Sequence, residues 1–114
     1  MPEKNLPIPT PEAYLAPVSG MLGWIPTWIV GRRHYAAVPP AGAALVCERQ
    51  PSNPIDADAI AVYAPGGGQT GHLPRCDAAY LAPLVDRGVV RIEARLAGPD
   101  DPDNRTPIRL EVWP

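Results

Sequence analysis

Phenylalanine is absent from this 114-residue chain and lysine occurs once, at Lys4. Leu, Ile and Val, 25 in all, are the main material for a core, and the remaining basic residues are all arginine, which suits planar, forked contacts better than diffuse point charges. Charge of one sign is lacking too. Ten Lys and Arg against 12 Asp and Glu leave a net charge of −2, so no strong overall field draws the chain to polyphosphates or anionic membranes. Any nucleic-acid binding has to be local. Two cysteines, Cys47 and Cys76, are too few for a zinc site or a disulfide framework and are expected as buried free thiols. The most apolar stretch, Met21 to Val30, is about half a membrane span and contains Pro26, and no basic-then-apolar leader opens the chain. These features predict a soluble, cytoplasmic protein without membrane contact. Neither a G-x-S-x-G elbow nor a G-x-x-x-x-G-K-[ST] loop occurs, and Gly66 to Gly68 lacks the Lys and helix that would follow a phosphate loop. Catalysis, ATP hydrolysis and a bound cofactor or metal are not expected.

Proline is abundant instead. Seventeen prolines and 10 glycines approach the share seen in disordered chains, but 46% hydrophobic and only 19% charged residues suffice for a small core. Residues 1 to 22 read as a Pro-rich arm, carrying Pro2, Pro7, Pro9, Pro11 and Pro17, and residues 23 to 114 as one domain. Within it, Trp28-Ile29-Val30 predicts a first strand ending in Arg32-Arg33-His34. A turn at Pro39 to Gly42 leads to a second strand, Ala43 to Glu48, and an ordered Ser52 to Asp58 loop leads to a third, Ala59 to Tyr63. A reversal at Pro65 to Gly68 gives a fourth, Gln69 to Leu73. The spacing Ala78, Leu81, Ala82, Val85 predicts a buried helical face with Asp77 as N-cap and Gly88 as stop, and Pro83 should kink or split that helix. Alternation along Val90 to Leu96 and Ile108 to Val112 predicts two more strands. The expected fold is mainly β: a small OB-like barrel of about six strands with one or two short helices.

Three polar clusters fall at predicted strand ends: Arg32-Arg33-His34, Asn53-Pro54-Ile55-Asp56, and Gly71-His72-Leu73-Pro74-Arg75. Arg33 and Arg75 are suited to phosphate oxygens, His72 to donating a further hydrogen bond, and Asp56 to accepting from a sugar hydroxyl, a set that fits a nucleotide terminus. An ordinary turn with solvated arginines is the other reading of the same residues. Asp56, Asp58 and His72 also allow a metal site, on a spacing that is not specific.

The order V-G-x-R-x-Y at Val30 to Tyr35, then R-x-P-x-N-P-x-D-x-x-A-I at Arg49 to Ile60, then G-H-L-P-R at Gly71 to Arg75 resembles the HIRAN domain over roughly residues 28 to 113. That family occurs in fork-remodelling translocases and, in bacteria, as small free-standing proteins. The resemblance implies an OB-like barrel that grips single-stranded DNA at a free 3′-hydroxyl, in repair or replication, beside a helicase, translocase or nuclease. Carried over by position, Arg33 and Arg75 would neutralise phosphates, His72 would bond near the terminal nucleotides, and Asn53 and Asp56 would form the pocket floor. Asp56 would accept from the 3′-hydroxyl. His34 and Ile55 stand where the DNA-gripping members stack aromatics. The family also implies helicase-type ATPase and zinc-bearing segments elsewhere in its larger members, so a metal-dependent hydrolase component is an alternative by association. A protein-interaction adaptor using the Pro-rich arm or a sheet edge is another.

Overall fold

The computed structural model describes residues 20–38, 42–100 and 102–114. The predicted arm therefore lies, through residue 19, outside the described residues, as does most of the Pro39 to Gly42 turn. Six strands, β1 (Gly23–Ile29), β2 (Ala44–Arg49), β3 (Ile60–Tyr63), β4 (Gln69–His72), β5 (Arg91–Leu96) and β6 (Thr106–Trp113), form one antiparallel sheet in the order β1-β6-β5-β2-β3-β4. Among the described residues one α-helix, α1 (Arg75–Asp86), joins β4 to β5. The described fold is mainly β, a curled, barrel-like sheet with that helix.

The first strand begins five residues earlier than Trp28 and takes in Pro26. Pro26 is tolerated because β1 is an edge strand, where a missing backbone donor leaves no ladder unpaired on the open side. Along β5 and β6 the alternation holds: Ala94, Ile108 and Leu110 are fully buried and join Ile29, Leu45 and Val62 in one aliphatic core. This core is how the chain manages without phenylalanine.

Curling brings the two edges together. One extra residue, Thr70, sits between the pairs Val62–Gly71 and Tyr63–Gln69, a bulge of the kind that sharpens twist. Beyond it Val30 and His72 exchange two backbone bonds, Val30 N to His72 O at 2.8 Å and His72 N to Val30 O at 3.0 Å. Those bonds form a seam between the ends of β1 and β4. Only glycine fits beside it: a Cβ on Gly71 would stand against the Val30 carbonyl oxygen and 2.6 Å from Ile29 Cγ2.

The helix differs from expectation in two ways. Asp77 is not its N-cap: Pro74, with ψ 145°, ends the extended segment, and residues 75–77 are already helical. Asp77 lies in the first turn, where a carboxylate suits the helix dipole, and its Oδ2 accepts a short hydrogen bond from Thr27 Oγ1 of β1. Nor does Pro83 split the helix, which runs unbroken to Asp86. Pro83 and Ala79, whose carbonyl loses its helical donor, are both exposed, so water can serve that oxygen. Gly88 does provide the stop. It is left-handed, its N–H bonds the Val85 carbonyl at 3.0 Å, and Val89 N–H bonds the Leu84 carbonyl at 2.9 Å, a Schellman ending.

The thiols are not both buried. Cys76, on the outer side of α1, is exposed, whereas Cys47 is half-buried in β2 and its pKa is pushed up to about 12 by burial, with Glu93 adding to the effect. No described helix is long and apolar enough to cross a membrane.

Candidate functional site

After β1 and the bridging Val30, Gly31 adopts a left-handed conformation (φ 74°) and turns the chain into a 3-10 turn, Arg32–His34. Neighbours that look equivalent in sequence are thereby separated. Arg32 is folded back, its side chain 11% exposed, and its Nη1 donates to both Asp100 oxygens at 2.9 and 3.1 Å and to Thr106 Oγ1 at 2.7 Å. Arg33 and His34 remain exposed.

The β2–β3 loop holds itself in shape. Asn53 Oδ1 accepts the N–H groups of Ile55 at 2.9 Å and Asp56 at 3.1 Å, while Asp56 Oδ1 accepts from Asp58 N at 2.9 Å. These are the side-chain-to-backbone bonds that Asn and Asp bring to turns. Arg49 ties down the far side of the loop. It donates to the Ala59 carbonyl at 2.8 Å and the Ala57 carbonyl at 2.9 Å, and forks onto Asp86 at 2.8 and 3.0 Å. Hydrogen bonding within that pair lowers the Asp86 pKa and raises that of Arg49. The arginine of the R-x-P-x-N-P-x-D block is thus a strut joining β2, the loop and the end of α1. At the other end of the helix, Arg75 Nη2 donates to the Ile55 carbonyl at 3.0 Å and its Nε lies 3.6 Å from Asp56 Oδ2.

His72 closes the group, and a relay of hydrogen bonds fixes its tautomer. Two backbone donors fix Asn53 Oδ1, so Asn53 Nδ2 is the atom that donates to Gln50 Oε1 at 3.1 Å. Gln50 Oε1 is then an acceptor 2.7 Å from His72 Nε2, a closer contact than the 3.4 Å approach of the Gln69 amide nitrogen to the same atom, which favours the imidazole proton on Nε2. His72 Nδ1 is left as an acceptor 3.5 Å from the Tyr35 hydroxyl, with the two rings edge to face at 5.9 Å. Burial holds the His72 pKa below its ordinary value, against an opposing pull from Asp56. The donor expected of His72 is therefore already given to Gln50, and what it offers is a lone pair.

Val30, His34, Tyr35, Asn53, Ile55, Asp56, Ala59, His72, Leu73 and Arg75 line one cleft of about 460 Å³. Six of the seven residues singled out from sequence meet here. Arg33 does not: it lines a neighbouring cleft of about 270 Å³ with Gly31, Arg32 and Asp103 to Arg105, the two clefts sharing Val30 and His34. No three His, Cys, Asp or Glu side chains among the described residues come together to hold a metal, so Asp56, Asp58 and His72 are not a ligand set. Sequence reasoning missed Tyr35 and Gln50. Tyr35 had a signal, as the tyrosine that closes V-G-x-R-x-Y; Gln50 had none, because its role depends on Asn53 and His72 at once. The arrangement can receive a hydroxyl at Asp56 while the Arg75 guanidinium holds an adjacent anionic group.

A family model described as the HIRAN domain matches residues 22–113, the whole of this sheet and helix. The chain belongs to the HIRAN family. Among solved structures it is similar to the crystal structure of the HIRAN domain of human HLTF, at 29% identity and a TM-score of 0.76 over 82% of this chain and 77% of that one. It is also similar to an HLTF HIRAN domain in its DNA-bound conformation, at 30% identity and a TM-score of 0.69 over 82% and 76%. Among curated proteins, a Fanconi-associated nuclease 1 homolog of Oryza sativa subsp. japonica is 37% identical over 92 residues, 76% of this chain and 10% of that protein. The chain spans about a tenth of the length of the curated relatives it matches. What it shares with them is the HIRAN domain.

Proposed function

We propose that this HIRAN domain is a noncatalytic module that binds single-stranded DNA at a 3′-hydroxyl end, in repair or replication, alongside a helicase, translocase or nuclease. One observation carries the reading: residues from three distant parts of the chain converge on one cleft, and they set a carboxylate oxygen 3.6 Å from a guanidinium. A relative with this fold, the HLTF HIRAN domain, has been solved in a DNA-bound conformation, and other relatives bear helicase-like and nuclease names. In this reading Asp56 accepts from the terminal hydroxyl, Arg75 holds the phosphate next to it, and Arg33 holds one further along. Tyr35 supplies the flat face that Ile55 lacks, and the exposed Ile55 gives only apolar cover. A 3′-phosphate is rejected because it brings negative charge against Asp56.

Anisotropy titration of matched oligonucleotides ending in 3′-hydroxyl or 3′-phosphate tests this at low and moderate salt. The hydroxyl end should bind more tightly, and Asp56→Asn, which keeps the acceptor for Asp58 N, should erase the difference. Arg33→Ala or Arg75→Ala should weaken both and lower the salt slope by about 1. Equal binding of the two ends, or none at low salt, refutes the reading.

A second reading, attachment to a protein partner, has its own observation. Cys76, Ala79, Tyr80, Pro83 and Leu84 make an exposed, uncharged stripe along α1, with Tyr80 81% exposed. If α1 is the attachment site, Tyr80→Arg should abolish capture of a helicase or nuclease partner and leave oligonucleotide binding intact.

A further inference from the structure

The outer face of β1 and β6 carries a feature that the cleft does not use. Trp24, Pro26 and Trp28 alternate along one side of β1, and Val30, which lines both clefts, falls on that same side. From Val30 to Trp24 the row runs about 20 Å at an extended-strand rise. Arginines lie over the indoles: Arg105 is centred 4.5 Å above Trp28, Arg109 lies 5.0 Å above Trp24, and Arg91 lies 5.4 Å above Trp113. Arg105 also lines the smaller cleft, so the first of these stacks adjoins the place where Arg33 sits.

The local charge differs from that of the whole chain. Arg91, Arg95, Arg105 and Arg109 stand on this face against Glu93, Glu111 and Asp103. Glu111, only 5% exposed, is held between Arg95 Nε and Arg109 Nε at 3.3 Å each, and Glu93 pairs with Arg95 at 3.5 Å. Asp103, the exposed acid, lies 3.6 Å from Arg105. Trp24 is 51% exposed, an unusual position for an indole unless something covers it.

Flat π-faces interleaved with guanidinium groups, running away from a cleft, are what binds single strands without regard to sequence. We propose that this face carries single-stranded nucleic acid onward from the cleft, with bases stacking at Trp28 and then Trp24 while Arg105 and Arg109 swing from the rings to the phosphates. The proposal rests on the reading that the cleft takes a strand end, and it adds a length requirement that the cleft alone does not impose.

Anisotropy titration of 3′-hydroxyl oligothymidylates of about 3 and about 12 nucleotides separates the two, within the site sizes usual for such barrels. The longer strand should bind about tenfold or more tightly than the shorter, the gain expected of added stacking. Trp24→Leu and Trp28→Leu keep apolar bulk but remove the π-face; they should cancel the length advantage and leave the short strand's affinity and end preference unchanged. Tryptophan fluorescence should be quenched by the long strand and not the short. If both lengths bind equally, or the advantage survives in both variants, the strand path is wrong while end binding stands. If neither length binds at low salt, both readings fall.

Discussion

The cleft and the outer face of β1 and β6 both depend on arginine, in opposite ways. In the cleft region, guanidiniums are fastened to oxygen: Arg49 spans two carbonyls and a carboxylate, and Arg75 hooks one carbonyl beside Asp56. On the outer face Arg105 and Arg109 lie over indole rings as well as beside carboxylates, Asp103 at 3.6 Å and Glu111 at 3.3 Å. Hydrogen bonds to fixed oxygens have strict geometry, so the cleft is preorganised and able to discriminate; stacks over rings tolerate sliding and exchange. The lesson is that one domain can divide selectivity and reach between two surfaces. On the proposed reading, the cleft would read chemistry at a strand's end, and the face would add contact that any base can make.

The harshest way to break this division is at Gly71, where the ends of the sheet meet. Gly71→Ala puts a methyl group against the Val30 carbonyl and Ile29, and should cost roughly 3 kcal/mol, lowering the denaturant midpoint with little change in slope. Gly98→Ala, whose added carbon would meet only Pro107 at 3.5 Å, should stay within about 0.5 kcal/mol and serves as the control. Less drastic, Arg49→Ala removes a strut that serves the cleft and not the face; about 1.5–3 kcal/mol of stability should go. Its loosened loop should weaken binding of short strands more than the increment added by long ones. Arg49→Lys should recover little, because an ammonium cannot reproduce a planar fork. The smallest effect is one of pH. His72 is held neutral in the fold by burial, so below about 6.5, the unfolded value, the unfolded chain takes up a proton that the folded site resists. Stability contributed by neutral His72 is complete above that pH, falls as the pH drops, and levels off below the depressed folded value. Thermal melts of wild type and His72→Gln across pH 5 to 8 should differ by this shallow slope.

Much of the fold was legible because its signals are local. Alternation of Ile92, Ala94 and Leu96 with charged neighbours, turn chemistry at Asn53 to Asp58, and a glycine at the end of the helix all express themselves within a few residues. Errors came where a residue's place in the sheet decides its fate. The first strand was placed from Trp28 on, short of Pro26, since sequence does not say that β1 is an edge, and Asp77 looked like a cap because its partner, Thr27, is 50 residues away. The same holds for the cleft. Asn53, Asp56, His72 and Arg75 were collected by the kind of chemistry they offer, His34 and Ile55 by the positions they hold in the family resemblance, and all six line one cleft. Arg33 was singled out and Arg32 passed over for phosphate contacts, and the left-handed Gly31 sends Arg32 inward to Asp100 while Arg33 stays exposed. His72 was expected to donate, but a relay through Asn53 and Gln50 had already claimed its proton.

The seam between Val30 and His72 has a thermodynamic consequence. Its two backbone bonds belong to residues that also line the cleft, so whatever immobilises the His72 ring steadies the junction that keeps the barrel rolled up. A ligand that fills the cleft only while the barrel is rolled up would, at a hundred times its dissociation constant, add about 2.7 kcal/mol to that form. Amide exchange at Val30 and His72 would register that ligand from behind the cleft, slowing as it fills. A domain built this way would be held rolled up by whatever fills its cleft.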